Sequence, residues 1–375
     1  MRARRETRPW HLLLAALLRA CVIAVGEYVV VAEPPSPSMT DVDYVVMVEG
    51  ACLAGQPSER LTYRYSPLLA VLLRPACHPR RRWFGKALYG GADVLVAAVS
   101  ASFAPPERHR VLWLFNPFVI ALSTRGSFDS LVQLVIAVML RANEAGFFAA
   151  VAVLLGFATH LRLYPVVFAP FLALHALQRR GLRAAARLVL VALLAFLLCN
   201  GLAARLDAAF FDVALRYHVA GRVDHRHNLS ALWPLQLQCS REGGASPACL
   251  PFAPVAQVIG LLCLFAHRLA TLRYRCYTAA LLRGDLAAAA LTFVALNSVV
   301  TAQYYAWALY PASVVSQPLS APLIGLLSLL HLLWLRLAYD VEFGAASGAL
   351  LPAPSAPLCL LAAVAAVRLV RAPRT

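Results

Sequence analysis

The sequence predicts an all-α polytopic membrane protein, and three observations support this fold class. Of the 375 residues, 61% are apolar and 14% are charged, whereas soluble domains average about half apolar and about a quarter charged. Mean hydropathy is +0.69. Apolar stretches also recur from one end of the chain to the other, as expected of helices that satisfy their own backbone hydrogen bonds in lipid. We therefore expect one multi-pass membrane domain over residues 1–375.

The charge distribution argues against a nucleic-acid-binding protein. The net charge of +16 comes almost entirely from arginines in short clusters between apolar runs. Basic clusters of this kind mark the cytosolic connections of membrane proteins. The 24 prolines and 19 glycines further predict broken and re-entrant helices.

The first apolar segment runs from His11 to Val31 and is long enough to cross a hydrocarbon core of about 30 Å. Four arginines precede it, and it ends at Tyr28 to Val31 instead of at the small residues of a cleavage site. We therefore predict an uncleaved signal-anchor with a cytosolic N-terminus.

Further apolar segments follow, so we predict about 10–12 transmembrane helices in total, allowing for segments shorter than the usual span. These segments cover residues 83–104, 111–122, 128–141, 147–158, 163–177, 188–204, 252–266, 277–297, 304–315, 319–338 and 350–367.

Alternating these segments across the membrane places most arginine clusters on the cytosolic side. Two long lumenal loops result, 32–82 and 206–251. The exception is Arg80 to Arg82, which falls in the first lumenal loop. Ser66 to Leu73 predicts an interfacial helix there, so we expect these arginines to meet lipid phosphate.

The nine cysteines contain no CxxC pair, so the sequence predicts neither a zinc site nor a disulfide framework. Cys239 and Cys249 share one polar loop, and a bridge between them stays open if that loop faces an oxidising lumen. Asn228-Leu229-Ser230 matches a glycosylation sequon, and its use also stays open because dense charge surrounds it.

Polar residues collect in connections on one predicted membrane face. Spacing alone thus predicts a site assembled from several loops above a helical bundle, which is a plausible enzyme active centre. The connections contain Asp41-Val42-Asp43-Tyr44, Ser123-Thr124-Arg125-Gly126, Thr159-His160-Leu161-Arg162, Asp224-His225-Arg226-His227-Asn228 and Thr301-Ala302-Gln303-Tyr304.

Asp41 and Asp43 stand two residues apart, so their carboxylates share a side in an extended loop and diverge in a helix. Paired carboxylates act as a general base, bind a divalent cation or cap a helix. The sequence leaves these three roles open. Thr40 before them also has the character of a helix N-cap.

Two further groups of charge allow both structural and functional interpretations. Arg125 and Asp129 are four residues apart, which predicts an ion pair within one helix. His160 and Arg162 stand before Tyr164, where they would suit either an anionic phosphate headgroup or interfacial anchoring.

Four charged residues fall inside predicted spans, Arg19 and Glu27 in the first and Lys86 and Asp93 in the second. A charge at the centre of a helix in lipid costs about 2.5 to 3.5 kcal/mol on insertion scales. We therefore expect these side chains to face protein or one another.

An ordered series of motifs between Thr40 and Pro311 resembles the GPI mannosyltransferase I family of the PIG-M type. The motifs are Asp41-Val42-Asp43-Tyr44, Tyr63-Arg64-Tyr65-Ser66-Pro67-Leu68-Leu69, Phe84-Gly85-Lys86 with Asp93, Leu114-Phe115-Asn116-Pro117, Ser123-Thr124-Arg125-Gly126, Gly156 to Pro165, Tyr217-His218, Arg226 to Ser230 and Thr301 to Tyr305. The stretch Leu229-Ser230-Ala231-Leu232-Trp233 departs from the family pattern, which has further aromatic residues and Ser-Pro there.

The resemblance implies a GT-C glycosyltransferase of the endoplasmic reticulum with its active site in lumenal loops. Such an enzyme moves mannose from dolichyl-phosphate-mannose, in α1,4 linkage and with inversion, onto glucosaminyl-phosphatidylinositol. It also implies a small membrane partner subunit. We expect no required cofactor, with a divalent cation at Asp41 and Asp43 as the open alternative.

The same resemblance assigns the candidate site residues. Asp43 or Asp41 would be the general base, and Arg162 with His160, followed by Arg226 and His227, would stabilise the departing phosphate. The other candidate substrate-binding residues are Arg64, Tyr65, Arg125, Asp129, Tyr164, His218, Asn228, Gln303 and Tyr304.

Two other functions remain as alternatives from the sequence. A secondary transporter would also contain membrane-embedded charge and helices broken by glycine and proline. Against it, the two halves show no internal repeat and the polar clusters sit at the ends of spans. A non-catalytic scaffold of a GPI-synthesis complex would differ from the enzyme only in not needing Asp41 and Asp43.

Overall fold

In the computed structural model, all regular secondary structure of the described residues is helical. The described residues are 8–28, 39–53, 55–221, 228–230, 252–272, 276–301, 303–316, 320–342 and 352–370. The chain divides into two compact units, one formed by Met1–Ala169 with Arg179–Gly221 and the other by Pro170–Gln178 with Arg222–Thr375.

The first unit carries the helices from the N-terminus to the middle of the chain. The α-helices are α1 (Pro9–Tyr28), α2 (Val42–Cys52), α3 (Pro67–Leu73), α4 (Phe84–Ser100), α5 (Pro106–His109), α6 (Pro117–Arg125), α7 (Asp129–Glu144), α8 (Phe148–Leu161), the ends of α9 (Ala169–Arg180) and α10 (Leu182–Leu206). The 3₁₀ segments are Pro57–Glu59, Arg74–Cys77, Pro79–Arg81 and Tyr164–Phe168, and the π-helical ones are Arg110–Leu114 and Phe211–Gly221.

The second unit contains most of α9 and the described helices that follow residue 221. These are α11 (Phe252–Leu272), α12 (Ala279–Ala295), α13 (Tyr304–Ser313), α14 (Ala321–Glu342) and α15 (Pro352–Val370). Helix α12 packs against α11, α13 and α15, and it is buried along most of its length.

Every predicted apolar segment coincides with helical structure in the described ranges. Among the described residues, four helical stretches are long and apolar enough to cross a membrane by themselves: Pro9–Tyr28, Leu182–Leu206, Val255–Leu272 and Ala321–Val341. Helices α6 and α7 form a fifth candidate, a pair bent by 117°. The expectation of broken helices is confirmed here, and the count of about 10–12 spans stays a prediction.

Helices α1 and α4 place their four charged residues against each other. Arg19 donates from Nε to an oxygen of Asp93 at 3.2 Å, and both side chains are almost fully buried. Lys86 donates to Glu27 and, at 2.7 Å, to the hydroxyl of Thr40. The charges therefore face protein as predicted, and each is paired across the two helices because an unpaired charge in lipid is costly.

Helices α8 and α10 approach each other closely at Gly156. A Cβ atom there would lie 2.3 Å from the carbonyl oxygen of Ala192 and 2.8 Å from the Cβ of Ala195. Glycine is therefore required for this backbone contact, which positions the C-terminal end of α8 and its residue His160.

Cys52 and Cys77 form a disulfide, with their Cα atoms 5.4 Å apart. The expectation that no disulfide framework exists is therefore wrong. The two residues are separated by 25 positions, and only folding brings the end of α2 beside the 3₁₀ segment after α3. Cys239 and Cys249 lie outside the described residues, so their pairing stays open.

Candidate active site

The two aspartates of the Asp-x-Asp motif lie at the N-terminus of α2. Asp41 is the N-cap of this helix, and its carboxylate accepts a hydrogen bond from the backbone N–H of Asp43 at 2.9 Å. Asp43 occupies the first turn. The capping role is therefore confirmed for Asp41, and the expectation that Thr40 is the cap is wrong.

Asp41 is also tied to the turn that follows α6. Its backbone N–H donates to the carbonyl oxygen of Arg125 at 2.8 Å. Burial, reinforced by the neighbouring carboxylate of Asp43, raises the pKa of Asp41. The exposed guanidinium of Arg125 acts on the same carboxyl in the opposite direction. The two carboxylates thus form a coupled pair beside a cation.

Tyr65 joins this pair from the segment before α3. Its hydroxyl makes a hydrogen bond with the carboxylate of Asp43, and desolvation raises the pKa of Tyr65 well above the ordinary value, so it donates as a neutral phenol. Its ring packs edge-on against Phe128 at 5.5 Å and Tyr63 at 5.6 Å between centroids. Aromatic packing therefore fixes the direction of the donor.

Asp129 and Arg162 form a buried ion pair on the other side of Tyr65. Arg162 donates from Nε to one oxygen of Asp129 at 3.0 Å and from Nη2 to the other at 3.4 Å. The Ser127 hydroxyl also donates to Asp129, at 3.1 Å. The guanidinium lies 4.2 Å from the ring centroid of Phe128 and 5.8 Å from that of Tyr65. The arginine is thus oriented by a carboxylate and two aromatic faces.

Arg125 and Asp129 do not share a helix as their spacing predicts. Helix α6 ends at Arg125, Gly126 follows with φ of 105°, and α7 begins at Asp129. The expectation of an ion pair within one helix is therefore wrong, and the partner of Asp129 is Arg162, 33 residues further along the chain. The bend brings Arg125 and Asp129 to the N-terminus of α2.

Three contacts hold the segment that carries Tyr65. The Ser66 hydroxyl and His160 Nε2 are 2.7 Å apart, and His218 Nε2 and the carbonyl oxygen of Arg64 are 3.1 Å apart. The Arg64 guanidinium also stacks over Tyr217 at 4.8 Å. These contacts give His160 and His218 a positioning role, acting on the backbone on either side of Tyr65.

Asp207 holds the 3₁₀ segment that precedes Tyr65, whereas Tyr164 contacts helix α7. Asp207, at the end of α10, accepts from the backbone N–H of Ser58 at 2.8 Å and from its hydroxyl at 2.7 Å. Tyr164 is buried, and its hydroxyl accepts from the amide of Gln133 at 2.7 Å. Tyr164 therefore lies within the helical packing of this unit.

Tyr44 anchors α2, the helix that begins at the Asp-x-Asp motif, and its role was not predicted from the sequence. Its hydroxyl donates to the carbonyl oxygen of Arg82 and accepts from the backbone N–H of Gly85 at 3.1 Å. A Cβ at Gly85 would lie 2.6 Å from the Tyr44 ring, and one at Gly126 would lie 2.4 Å from it. Both glycines belong to motifs shared with the family that the sequence resembles. A glycine in such a motif indicates that a neighbouring side chain, here that of Tyr44, occupies the space of its missing Cβ.

The remaining candidate residues belong to the second unit or lie outside the described part. Asn228 is fully buried, and its side chain donates to the carbonyl of Ser298 at 2.8 Å while accepting from Ser230 and Val300, each at 2.9 Å. The sequon amide is thus built into the chain segment before Gln303. Tyr304 begins α13 and stacks on Trp307 at 3.9 Å. Arg226 and His227 lie outside the described residues.

The residues that could hold a divalent cation are Asp41 and Asp43. Across the described residues, no group of three or more His, Cys, Asp or Glu side chains is arranged to share a metal ion. What the arrangement supplies chemically is a pair of carboxylates at a helix N-terminus, with a neutral phenol and Arg125 beside them. Arg162 lies against the ring of that phenol.

These features are those of a membrane-embedded group-transfer enzyme, in which carboxylates and arginines converge at the ends of apolar helices. A family model described as mannosyltransferase (PIG-M) matches residues 122–352. The chain belongs to this family.

Curated relatives cover most of the chain. It is 34% identical over 357 residues to a zebrafish (Danio rerio) protein named GPI alpha-1,4-mannosyltransferase I, catalytic subunit, covering 88% of this chain and 87% of the relative. Proteins named GPI mannosyltransferase 1 from Trypanosoma brucei brucei and Schizosaccharomyces pombe are 31% and 30% identical, covering 79% and 81% of this chain and 72% and 86% of their own. The chain is thus a membrane glycosyltransferase that transfers mannose in GPI-anchor synthesis.

Proposed function

We propose that this enzyme transfers the first mannose of the GPI anchor from dolichyl-phosphate-mannose, in α1,4 linkage, to glucosaminyl-phosphatidylinositol. The observation that carries the proposal is the pair Asp41 and Asp43. Tyr65 contacts Asp43, Arg125 lies beside Asp41, and the guanidinium of Arg162 lies against the ring of Tyr65. The zebrafish relative's name contains the same linkage. Both substrates would be membrane lipids, which suits the apolar composition of the chain.

The geometry favours Asp43 as the general base and Asp41 as the residue that positions it. Asp41 holds the backbone of Asp43 through its cap, so its own carboxylate is committed to the helix end. Asp43 receives a hydrogen bond from the neutral phenol of Tyr65, which directs its carboxylate. Asp43 would take the proton of the glucosamine 4-hydroxyl as that oxygen attacks the anomeric carbon of mannose. One displacement then inverts the configuration from β to α.

The departing dolichyl phosphate gains negative charge, and Arg162 is the residue best placed to stabilise it. Its guanidinium is oriented by Asp129 and is 10% exposed. A pre-oriented cation in a site from which water is largely excluded stabilises developing charge without reorganisation. His160 would act through Ser66, and Arg226 and His227 remain further candidates for the phosphate.

We propose the endoplasmic reticulum membrane as the location, with a cytosolic N-terminus and a lumenal site. The Cys52–Cys77 disulfide supports this orientation, because disulfides persist in oxidising compartments and this one closes the segment that carries the site. The words "catalytic subunit" in the zebrafish relative's name support a small membrane partner subunit.

No divalent cation is required in this proposal, because the leaving group carries a single phosphate and Arg125 already lies beside the carboxylates. A chelator should leave mannosyl transfer unchanged. Loss of activity on chelation with recovery on adding manganese would assign the metal to Asp41 and Asp43 instead.

The decisive experiment is transfer of radiolabelled mannose in membranes that lack the endogenous enzyme. The complete chain, with a candidate partner subunit, should transfer mannose, and Asp43→Ala at matched expression should not. Transfer that survives in both Asp41→Ala and Asp43→Ala would place the base elsewhere. No transfer by the unaltered chain, with ion-coupled solute uptake in liposomes, would favour a transporter, and no transfer without uptake would favour a scaffold.

A further inference from the structure

A basic and apolar surface lies between the end of α3 and the start of α4. All of its side chains are exposed, and the apolar ones range from 38% to 43% exposed. We call it the arginine surface, and it consists of Val71, Leu72, Arg74, Arg80, Arg81, Arg82 and Trp83.

The charge of this surface is not balanced by carboxylates. The sequence contains no acidic residue between Glu59 and Asp93. Within the described ranges none of the four arginines forms an ion pair, whereas Asp93 is bound to Arg19. Exposed guanidiniums and apolar side chains in one short segment are typical of a surface that meets lipid headgroups.

The arginine surface is held firmly against the helix that carries the aspartates. Tyr44 of α2 donates to the carbonyl oxygen of Arg82, and the indole of Trp83 donates to that of Arg80 at 3.1 Å. The disulfide ties the 3₁₀ segment that includes Arg74 to the other end of α2. The surface and the N-terminus of α2 therefore form one connected piece of structure.

We propose that the arginine surface binds the headgroups of anionic phospholipids in the leaflet beside α2. Arginine forks match phosphate oxygens in a two-pronged geometry, and Val71, Leu72 and Trp83 would enter the boundary between headgroups and acyl chains. The binding does not depend on mannosyl transfer. If the proposed function holds, the surface also concentrates an anionic lipid acceptor beside Asp41 and Asp43.

The test is lipid binding to the full-length protein in detergent, measured by native mass spectrometry during titration with phosphatidylinositol. Phosphatidylcholine with the same acyl chains serves as the uncharged comparison. Arginine near an anionic membrane surface contributes roughly a fivefold change in binding for each residue. We therefore expect the triple variant Arg80→Gln/Arg81→Gln/Arg82→Gln to bind phosphatidylinositol at least about tenfold more weakly.

A matched control removes the same charge from another exposed cluster. Arg179→Gln/Arg180→Gln/Arg183→Gln should bind phosphatidylinositol as the unaltered protein does. Equal loss in the two triple variants would overturn the proposal, since net charge alone would then explain binding. Unchanged binding in the first variant would overturn it as well.

Two further measurements keep the test decisive. If the triple variant does not fold, judged by loss of the Cys52–Cys77 bridge on a non-reducing gel, the single variant Arg81→Gln should still weaken binding about fivefold. Soluble glycerophosphoinositol should not displace the lipid. Displacement by it, or equal binding of phosphatidylcholine, would show that the surface does not recognise an anionic lipid leaflet.

Discussion

A comparison of one buried arginine–aspartate pair from each unit shows how similar residues can serve different purposes. In the second unit, Arg268 contacts both oxygens of Asp285 at 2.6 and 2.7 Å, and the Tyr277 hydroxyl donates to the same carboxylate at 2.6 Å. In the first unit, the contacts of Arg162 with Asp129 are longer, at 3.0 and 3.4 Å. Arg162 is 10% exposed, against 5% for Arg268.

The tyrosine beside each pair makes the difference plainer. Tyr277 donates to the carboxylate that also binds arginine, so all three side chains of that cluster meet at one carboxylate. Tyr65 stands beside Arg162 but donates to a different carboxylate, that of Asp43. We call the cluster of the second unit sealed, because its three side chains meet at one carboxylate. We call the cluster of the first unit open, because its tyrosine donates to a second acidic group, that of Asp43. We therefore expect the open cluster of the first unit to be the one that takes part in the chemistry.

The largest expected effect is on activity and comes from Asp43. Asp43→Asn keeps the size of the side chain and removes the proposed base, so kcat/KM for mannosyl transfer should fall by about 10²- to 10⁴-fold. The thermal unfolding midpoint in detergent should stay unchanged, since Asp43 takes part in the helix cap through its backbone N–H and not through its side chain. A kcat/KM within about threefold of the unaltered enzyme would remove Asp43 from the mechanism.

The second prediction concerns the stability of the protein and not its activity. Asp285→Ala leaves the buried Arg268 without its carboxylate, which costs about 3–5 kcal/mol in comparable buried pairs. We expect a lower yield of folded protein and a lower unfolding midpoint, with kcat of the surviving fraction unchanged.

The double variant Arg268→Met/Asp285→Leu is the control for this prediction. It removes both charges together and should recover most of the stability, because a well-packed apolar pair often matches a buried ion pair. A fall in kcat in stable double-variant protein would show that the cluster of the second unit also serves the reaction.

The two tyrosines offer the sharpest test of the comparison. Tyr65→Phe and Tyr277→Phe each remove one hydroxyl that donates to a carboxylate, a hydrogen bond worth about 1.5–3 kcal/mol. Tyr65→Phe should lower kcat/KM about tenfold or more at unchanged stability. Tyr277→Phe should lower the unfolding midpoint at unchanged kcat/KM. The same outcome in both variants would end the distinction between an open and a sealed cluster.

The positions of the helices and the burial of charge were predictable from local properties of the sequence. Apolar runs located the helices, and the cost of charge in lipid predicted that Arg19 and Lys86 face protein. A polar residue before α2 indicated a cap, although the capping residue is Asp41.

What could not be predicted depends on contacts between distant residues. Spacing rules find partners three or four positions apart, and they assigned Asp129 to Arg125 instead of to Arg162. The pairing of Cys52 with Cys77 follows from the packing of α2 on the segment after α3, which no cysteine spacing encodes. The packing of Tyr44 against Gly85 and Gly126 brings together three motifs that are distant in the sequence, so local patterns could not predict it.

The smallest expected effect is a shift in pH dependence at Asp41. Burial and the adjacent carboxylate raise the pKa of Asp41, so it takes up a proton at higher pH than an ordinary aspartate of pKa about 3.9. As pH falls through this raised pKa, the carboxyl of Asp41 loses its negative charge at the N-terminus of α2, and we expect transfer to decline with it. Asp41→Asn keeps an oxygen to cap the helix but cannot titrate. This variant should therefore transfer mannose more slowly at neutral pH, and its remaining acid limb of kcat/KM should lie at lower pH, measured between about pH 4 and pH 8. A limb and a rate that both stay unchanged would show that Asp41 does not titrate in the working range and that its part is capping alone.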